Sequence, residues 1–434
     1  MQIAIATTLG ARWVRGVGLS LLYLVGCSST DGGNTNASAG AAGGPIGASA
    51  GNNSGGSPNP AQGGSAANTP FPDEFAGGPS GGGTPIAHGG APDVDYGNMA
   101  MPPAQWTNIT GTFAGMQSEC GNFGGVYPSP YEDKLILGVA RQGLFSSVDG
   151  GTTYQAIGTT GDKILNRLAM VIWDPAATQV FWTSGIYGWE SPFTDGVFKT
   201  TDGGASFVGY AKLAMIQSAN DSVSIDFNDP ARKTMLSGGH EQAGLLFRST
   251  DAGETWTDIG SSLPNTVGFC TTSLVLDAQT FLVGCAAGYS KKSGAILRSS
   301  DGGKTWSQVS GKGVSGQPLW AYDGSIYWAG EGGGMFKSAD FGKTFTQVAD
   351  AGTAGSTVPI QLPTGAIVSS AQKSLKLSPD AGKTWIPVAT DMPWAASGIA
   401  YSPFRRAFYA WHWDCTNNVP ADAIQRFGYD YLPK

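Results

Sequence analysis

Proton transfer and polar recognition need imidazole, phenol, guanidinium or carboxylate groups that converge on one place. In this chain of 434 residues few such groups stand where convergence is conceivable. His88 lies in a Gly-rich stretch and is expected to be solvated, whereas His240 and His412 each follow a short apolar run. Arg141, Glu190, Glu241, Tyr289 and Glu331 occupy comparable loop positions. Placed around one pore, these residues could bind a polar ligand or abstract a proton. Tyr187, Trp189, Trp413 and Lys291 belong to the same loops. The Trp189 and Trp413 rings could be stacking platforms for sugars or could pack between structural units. Asp149, Asp202, Asp251, Asp301, Asp340 and Asp380 recur about every 40 to 50 residues. Six regularly spaced carboxylates invite a metal or acid/base reading, but their context points elsewhere.

Each of the six sits in one pattern, Ser-x-Asp-x-Gly-x-Thr-Trp, seen in full at Ser249–Trp256, Ser299–Trp306 and Ser378–Trp385. Ser147–Tyr154, Thr200–Phe207 and Ser338–Phe345 keep it with an aromatic or hydroxyl swap. The Asp can accept hydrogen bonds from the N–H groups of its own turn, the Gly can take φ > 0, and the hydroxyls close the loop. These aspartates are therefore expected to build hairpin turns. The aromatic residue that ends each box opens the next strand with a large packing face.

The text between boxes is short strands and turn signals, as in Val223–Phe227, Asn228-Asp229-Pro230, Lys233–Gly238 and Leu245–Ser249. With the box as the turn from a third to a fourth strand, the period is that of a four-stranded propeller blade. After the last box the chain offers only three strands, Ile399–Pro403, Ala407–Trp411 and Ala423–Phe427. Trp106-Thr107-Asn108-Ile109 copies the fourth-strand text Trp256-Thr257-Asp258-Ile259. The expected fold is an all-β, seven-bladed propeller whose N-terminal strand completes the last blade and so leaves no open seam. In it, the loops from second to third strand share one face, opposite the boxes, and carry all the candidate side chains named first.

A net charge of −7 argues against a nucleic-acid partner. No metal-ligand spacing, Walker loop or Gly-x-Ser-x-Gly elbow occurs, so no metal or cofactor is implied. Arg12 and Arg15 precede the apolar run Val17–Val25, a signal-type segment. Leu24-Val25-Gly26-Cys27 resembles the bacterial lipobox, which implies a lipid on Cys27; the serines that follow it imply the outer membrane, with the domain periplasmic or at the cell surface. Residues 28–103, rich in Gly, Ala, Ser and Asn, read as a disordered tether, and residues 104–434 as the propeller. Four further cysteines suggest two disulfides of an exported protein. Cys270 and Cys285 flank an apparent hairpin, which leaves Cys120 with Cys415 to staple the ring closure.

The six boxes and their surroundings, from Trp106 onward, resemble the Asp-box (BNR) repeat superfamily, which includes sialidases, xyloglucan-type endoglucanases, sortilin-type receptors and a photosystem II assembly propeller. The resemblance implies the fold and leaves function open among hydrolases, receptors and assembly factors. Sialidases resemble one another in an Arg-Ile-Pro segment, absent here, and in three substrate-clamping arginines. Arg248 and Arg298 share one repeat position with Lys199 and Lys337 just before the box, which marks them as blade framework. The expected function is a lipid-anchored, monomeric propeller that binds a glycan or an envelope protein through its loop face. The alternatives are a polysaccharide hydrolase or lyase, and a scaffold or assembly factor.

Overall fold

The computed structural model describes residues 94–119, 123–186, 196–217, 219–413 and 417–431. The expected signal segment, lipobox and most of the tether, with Cys27, lie outside them. So do Cys120, Cys415, Tyr187, Trp189 and Glu190.

Seven antiparallel sheets form the ring. Blade 1 comprises Phe123–Pro128, Leu135–Val139, Gly143–Ser147 and Gln155–Ile157, taken here as strands a to d. Blades 2 to 6 repeat this order, and blade 7 takes strands a to c from Gly398–Ser402, Ala407–Trp411 and Ile424–Gly428. Its strand d is Thr107–Asn108, paired antiparallel with Arg426 and Gln425. The ring thus closes through the two ends of the chain, as the copied strand text predicts. Pro103 locks the start of that strand by accepting the Gly428 N–H at 2.9 Å. Blade 2 departs from the plan: Thr160–Gly161 adds a parallel fifth strand beside Ser206–Phe207.

The core lies between blades. Strand b of each blade is buried along almost its whole length, whereas the short d strands are largely exposed, so apolar density falls from the axis outward. Met170, Trp182 and Val197 of blade 2 pack on Val223, Met235, Phe247 and Trp256 of blade 3. Trp256, the closing residue of a box, thus supplies the interblade face its position suggests. Close approach needs glycine in places: a Cβ on Gly238 would sit 2.2 Å from the Thr271 carbonyl of the next blade.

The boxes are self-contained turns. In blade 4, Ser299 Oγ donates to Asp301 Oδ1 at 2.8 Å and accepts the Gly303 N–H at 2.8 Å. Lys304 and Thr305 N–H groups donate to the same carboxylate oxygen at 3.0 Å, and Thr305 Oγ1 donates to Oδ2 at 2.6 Å. Gly303 has φ +84°, and a Cβ there would meet Ile259 at 2.6 Å, which accounts for the glycine.

The basic residues before the boxes join blades. Arg248 donates to the Gly302 carbonyl in the next blade's box (2.9 Å), Arg298 to that of Phe341 (3.3 Å) and Lys337 to that of Ala381 (3.1 Å). The Arg248 guanidinium also lies over the Phe281 ring, 5.4 Å from its centroid. Their position as framework, away from the loop face, follows. Cys270 and Cys285 are bonded across strands a and b of blade 4.

Candidate functional site

On the loop face one cluster crosses the seam between blades 3 and 4. His240 follows strand b (Met235–Gly239), and its N–H donates to the Ala219 carbonyl at 3.1 Å. That anchor sets the ring against strand a of the same blade, where His240 Nδ1 lies 3.0 Å from both carboxylate oxygens of Asp221. With Nδ1–H donated to Asp221, Nε2 is turned toward Glu241, whose Oε2 is 3.8 Å away. Glu241 occupies the left-handed backbone region at φ +49°. From blade 4, the Tyr289 hydroxyl reaches both the carbonyl and Oε2 of Glu241 at 3.4 Å. The Tyr289 ring rests on Phe269 with centroids 4.7 Å apart and is 37% exposed. Lys291, two residues on, is exposed in a turn at φ +59°.

The remaining nominated residues have partners of their own. His412 Nε2 lies 3.3 Å from Asp422 Oδ1, and its ring stacks on Trp394 at 4.4 Å. Arg141, at φ +70°, pairs with Glu119 at 3.0 Å. The Trp413 ring is covered by the Arg167 guanidinium of blade 2, 5.3 Å from its centroid, and packs on the core between blades 7 and 1. Glu331 accepts the N–H groups of Ala287 and Gly288 at 2.8 and 2.9 Å, so this carboxylate braces the blade 4 loop from blade 5.

The structure therefore brings together His240, Glu241 and Tyr289, and pairs His412 and Arg141 with separate acids. Asp221, Asp422 and Glu119 are the residues that sequence reasoning missed. A rule that each loop imidazole or guanidinium seeks a carboxylate on an adjoining strand or segment would have found them.

Hydrogen bonds from their own turns favour the ionised form of the box aspartates. Asp202 is held at about 2, first by the Ser206 hydroxyl, then by the Ser206 N–H and the Thr200 hydroxyl. Asp301 is likewise held well below the usual carboxylate range, chiefly by the Thr305 hydroxyl and N–H. Among the described residues no group of three or more His, Cys, Asp or Glu is placed to hold a metal ion.

The family model of the BNR-Asp box repeat matches residues 335–348, the strand and box of blade 5. No curated protein matches. Among solved structures, the chain is similar to a GH74 xyloglucanase from Xanthomonas campestris, at 16% identity over 75% of this chain and 55% of that one, TM-score 0.47. It is similar to YCF48 bound to D1 peptide, at 14% identity over 76% of this chain and 100% of that one, TM-score 0.49. It is also similar to the extracellular domain of a one-component system from B. thetaiotaomicron, at 12% identity over 76% of this chain and 41% of that one, TM-score 0.49. The chain thus spans about half the length of the xyloglucanase. With six boxes of one hydrogen-bonding plan on a ring of seven sheets, this chain is a seven-bladed β-propeller, and the box of its fifth blade matches the BNR-Asp box repeat.

Proposed function

We propose that the protein is a lipid-anchored propeller of the outer membrane that binds an extracellular glycan through its loop face. The observation that carries this reading is the cluster at the blade 3–4 seam. It combines carboxylates that accept hydrogen bonds from hydroxyls, an imidazole, and a half-exposed phenol ring backed by Phe269. A sugar offers hydroxyl donors on its edge and an apolar C–H face, and this pairing of acceptors with a fixed aromatic plane matches both. Lys291 adds a cation for an acidic sugar. The anchor is assigned to Cys27 on its lipobox-like context, and an envelope protein is the other ligand class the same face would suit.

The test is glycan-array screening of the full chain followed by calorimetry with the best binder. Tyr289→Ala and Glu241→Gln should each weaken binding by about tenfold or more, the cost of about 1.4 kcal/mol, without moving the melting midpoint. Full binding in both variants would overturn the assignment. Labelling with a lipid precursor should fail in Cys27→Ser.

A second reading, polysaccharide cleavage, draws on the orientation of His240. Asp221 fixes Nδ1 and so presents Nε2 as a proton acceptor. New reducing ends or unsaturated uronates, lost in His240→Gln, would favour it over simple binding. Pull-down of one envelope protein without glycan binding would favour a scaffold.

A further inference from the structure

The box face carries a concavity of different character. Strands a of blades 2 to 5, Arg167–Trp173, Asn220–Ile225, Phe269–Val275 and Leu319–Trp320, end there around the axis. Between them Ile172, Phe227, Leu274, Pro318, Leu319 and Trp320 line an apolar depression of about 170 Å³. The polar side chains of the lining are turned to the next blade: Ser224 Oγ accepts the Val275 N–H at 2.8 Å, and Asn228 Nδ2 donates to the Leu276 carbonyl at 3.1 Å. A cavity of about 150 Å³ lined by such apolar side chains admits a benzene ring.

The rim is acidic. Asp226 and Asp229 flank Phe227 and Asn228, and Asp277 follows Val275 by two residues. Burial pushes the Asp226 carboxyl up, and the nearby Asp229 and Asp277 carboxylates push it further. Of the cations in the blade 3 turn, Arg232 is held by Asp174 through Nε and Nη2, at 3.0 and 2.8 Å, and lies over the Phe227 ring, 5.3 Å from its centroid. That leaves Lys233, which is exposed, against three carboxylates. A positive group at this rim is therefore attracted and a negative one repelled.

The described start of the chain narrows access. Tyr96 packs edge-on against Phe404, in the turn between strands a and b of blade 7, at 5.2 Å, and Arg406 in the same turn donates to the Met99 carbonyl at 2.6 Å. The Tyr96 hydroxyl is also within electrostatic reach of the Tyr131 and Tyr322 hydroxyls, of blades 1 and 5. A segment that reaches from blade 7 toward blades 1 and 5 leaves room at the depression for a small molecule rather than for a folded partner.

We propose that the depression binds a small organic cation, an apolar ring on a short arm that ends in an ammonium group. The ring lies against Leu274, Leu319 and Trp320, and its removal from water drives binding. The ammonium group faces the carboxylates of the rim, which favour it over a neutral or anionic head. Nothing in this assignment depends on the reading of the loop face.

Calorimetric titration of the full chain with phenethylamine, 3-phenylpropionate and methylamine tests the site. Phenethylamine should bind one to one with a Kd of about 1 mM or tighter, and the other two at least about tenfold more weakly. Leu274→Trp, which fills the depression, should weaken phenethylamine by about tenfold or more. Asp277→Asn keeps the oxygen that accepts the Gln279 and Thr280 N–H groups, so it preserves the turn and gives a charge readout should Leu274→Trp fail to fold. It should weaken phenethylamine by about two- to five-fold. No binding at about 10 mM, equal affinity for the amine and the carboxylate, indifference to these substitutions, or loss of binding in Tyr289→Ala, which would put the probe on the loop face, would each overturn the proposal.

Discussion

Asp202 accepts the Ser206 hydroxyl, the Ser206 N–H and the Thr200 hydroxyl, and that local geometry should be visible in acid. Its carboxyl is depressed from 3.8 to about 2, so the folded state favours the ionised form. The contribution is complete above the ordinary value and is lost as pH falls from about 4 toward 2. Asp202→Asn should lower stability at neutral pH by about 1 kcal/mol. For a domain of this size that is a melting shift of about 1 to 2 °C. Below about pH 2 the variant and the parent should converge, as thermal melts across a pH series would show. A gap that persists undiminished in acid would remove the carboxylate from this role. The role of these aspartates was legible because every partner lies within a few residues. The partner of His240 was not. Asp221 is the extra residue of a bulge, between Asn220 paired with Gly239 and Ser222 paired with Gly238. A bulge re-aims one side chain without leaving a composition signal.

At the level of strands and turns, the Cys270–Cys285 bond lies beside a second bulge, between Phe269 and Thr272. The cross-link closes a segment of 15 residues. In the chain-entropy account a loop of that length contributes about 3 kcal/mol. Cys285→Ser should therefore lower the melting midpoint by several degrees, and reduction of the parent should reproduce the shift; equal midpoints in oxidised and reduced protein would refute it. Hairpin spacing made this pair readable. The basic residues at strand c were readable only as a repeat position. What they bind, the carbonyls of Gly302, Phe341 and Ala381 one blade on, depends on how neighbouring sheets face each other. That contact between sheets has no counterpart along a single strand.

For the molecule as a whole, the blade number and the closure could be read because the N-terminal strand repeats the wording of the others. The added strand Thr160–Gly161 could not, since two residues carry no periodicity. Closure makes one firm demand. Ile109 N–H donates to the Ile424 carbonyl at 3.0 Å and Trp106 Nε1 to the Thr390 carbonyl at 2.8 Å, contacts that tie the N-terminal strand to the last two blades. Removing residues 1–110 should expose the edge of Ile424–Gly428 and lower the midpoint by about 10 °C or more, with aggregation. Removing only residues 1–93 should leave a cooperative transition. Equal behaviour of the two truncations in calorimetry would refute closure as a source of stability.

The place where the chain enters the ring, beside Phe404 and Arg406 on the side of the boxes, has a geometric outcome. The described chain thus begins on the face of the ring opposite the rim that bears His240 and Tyr289.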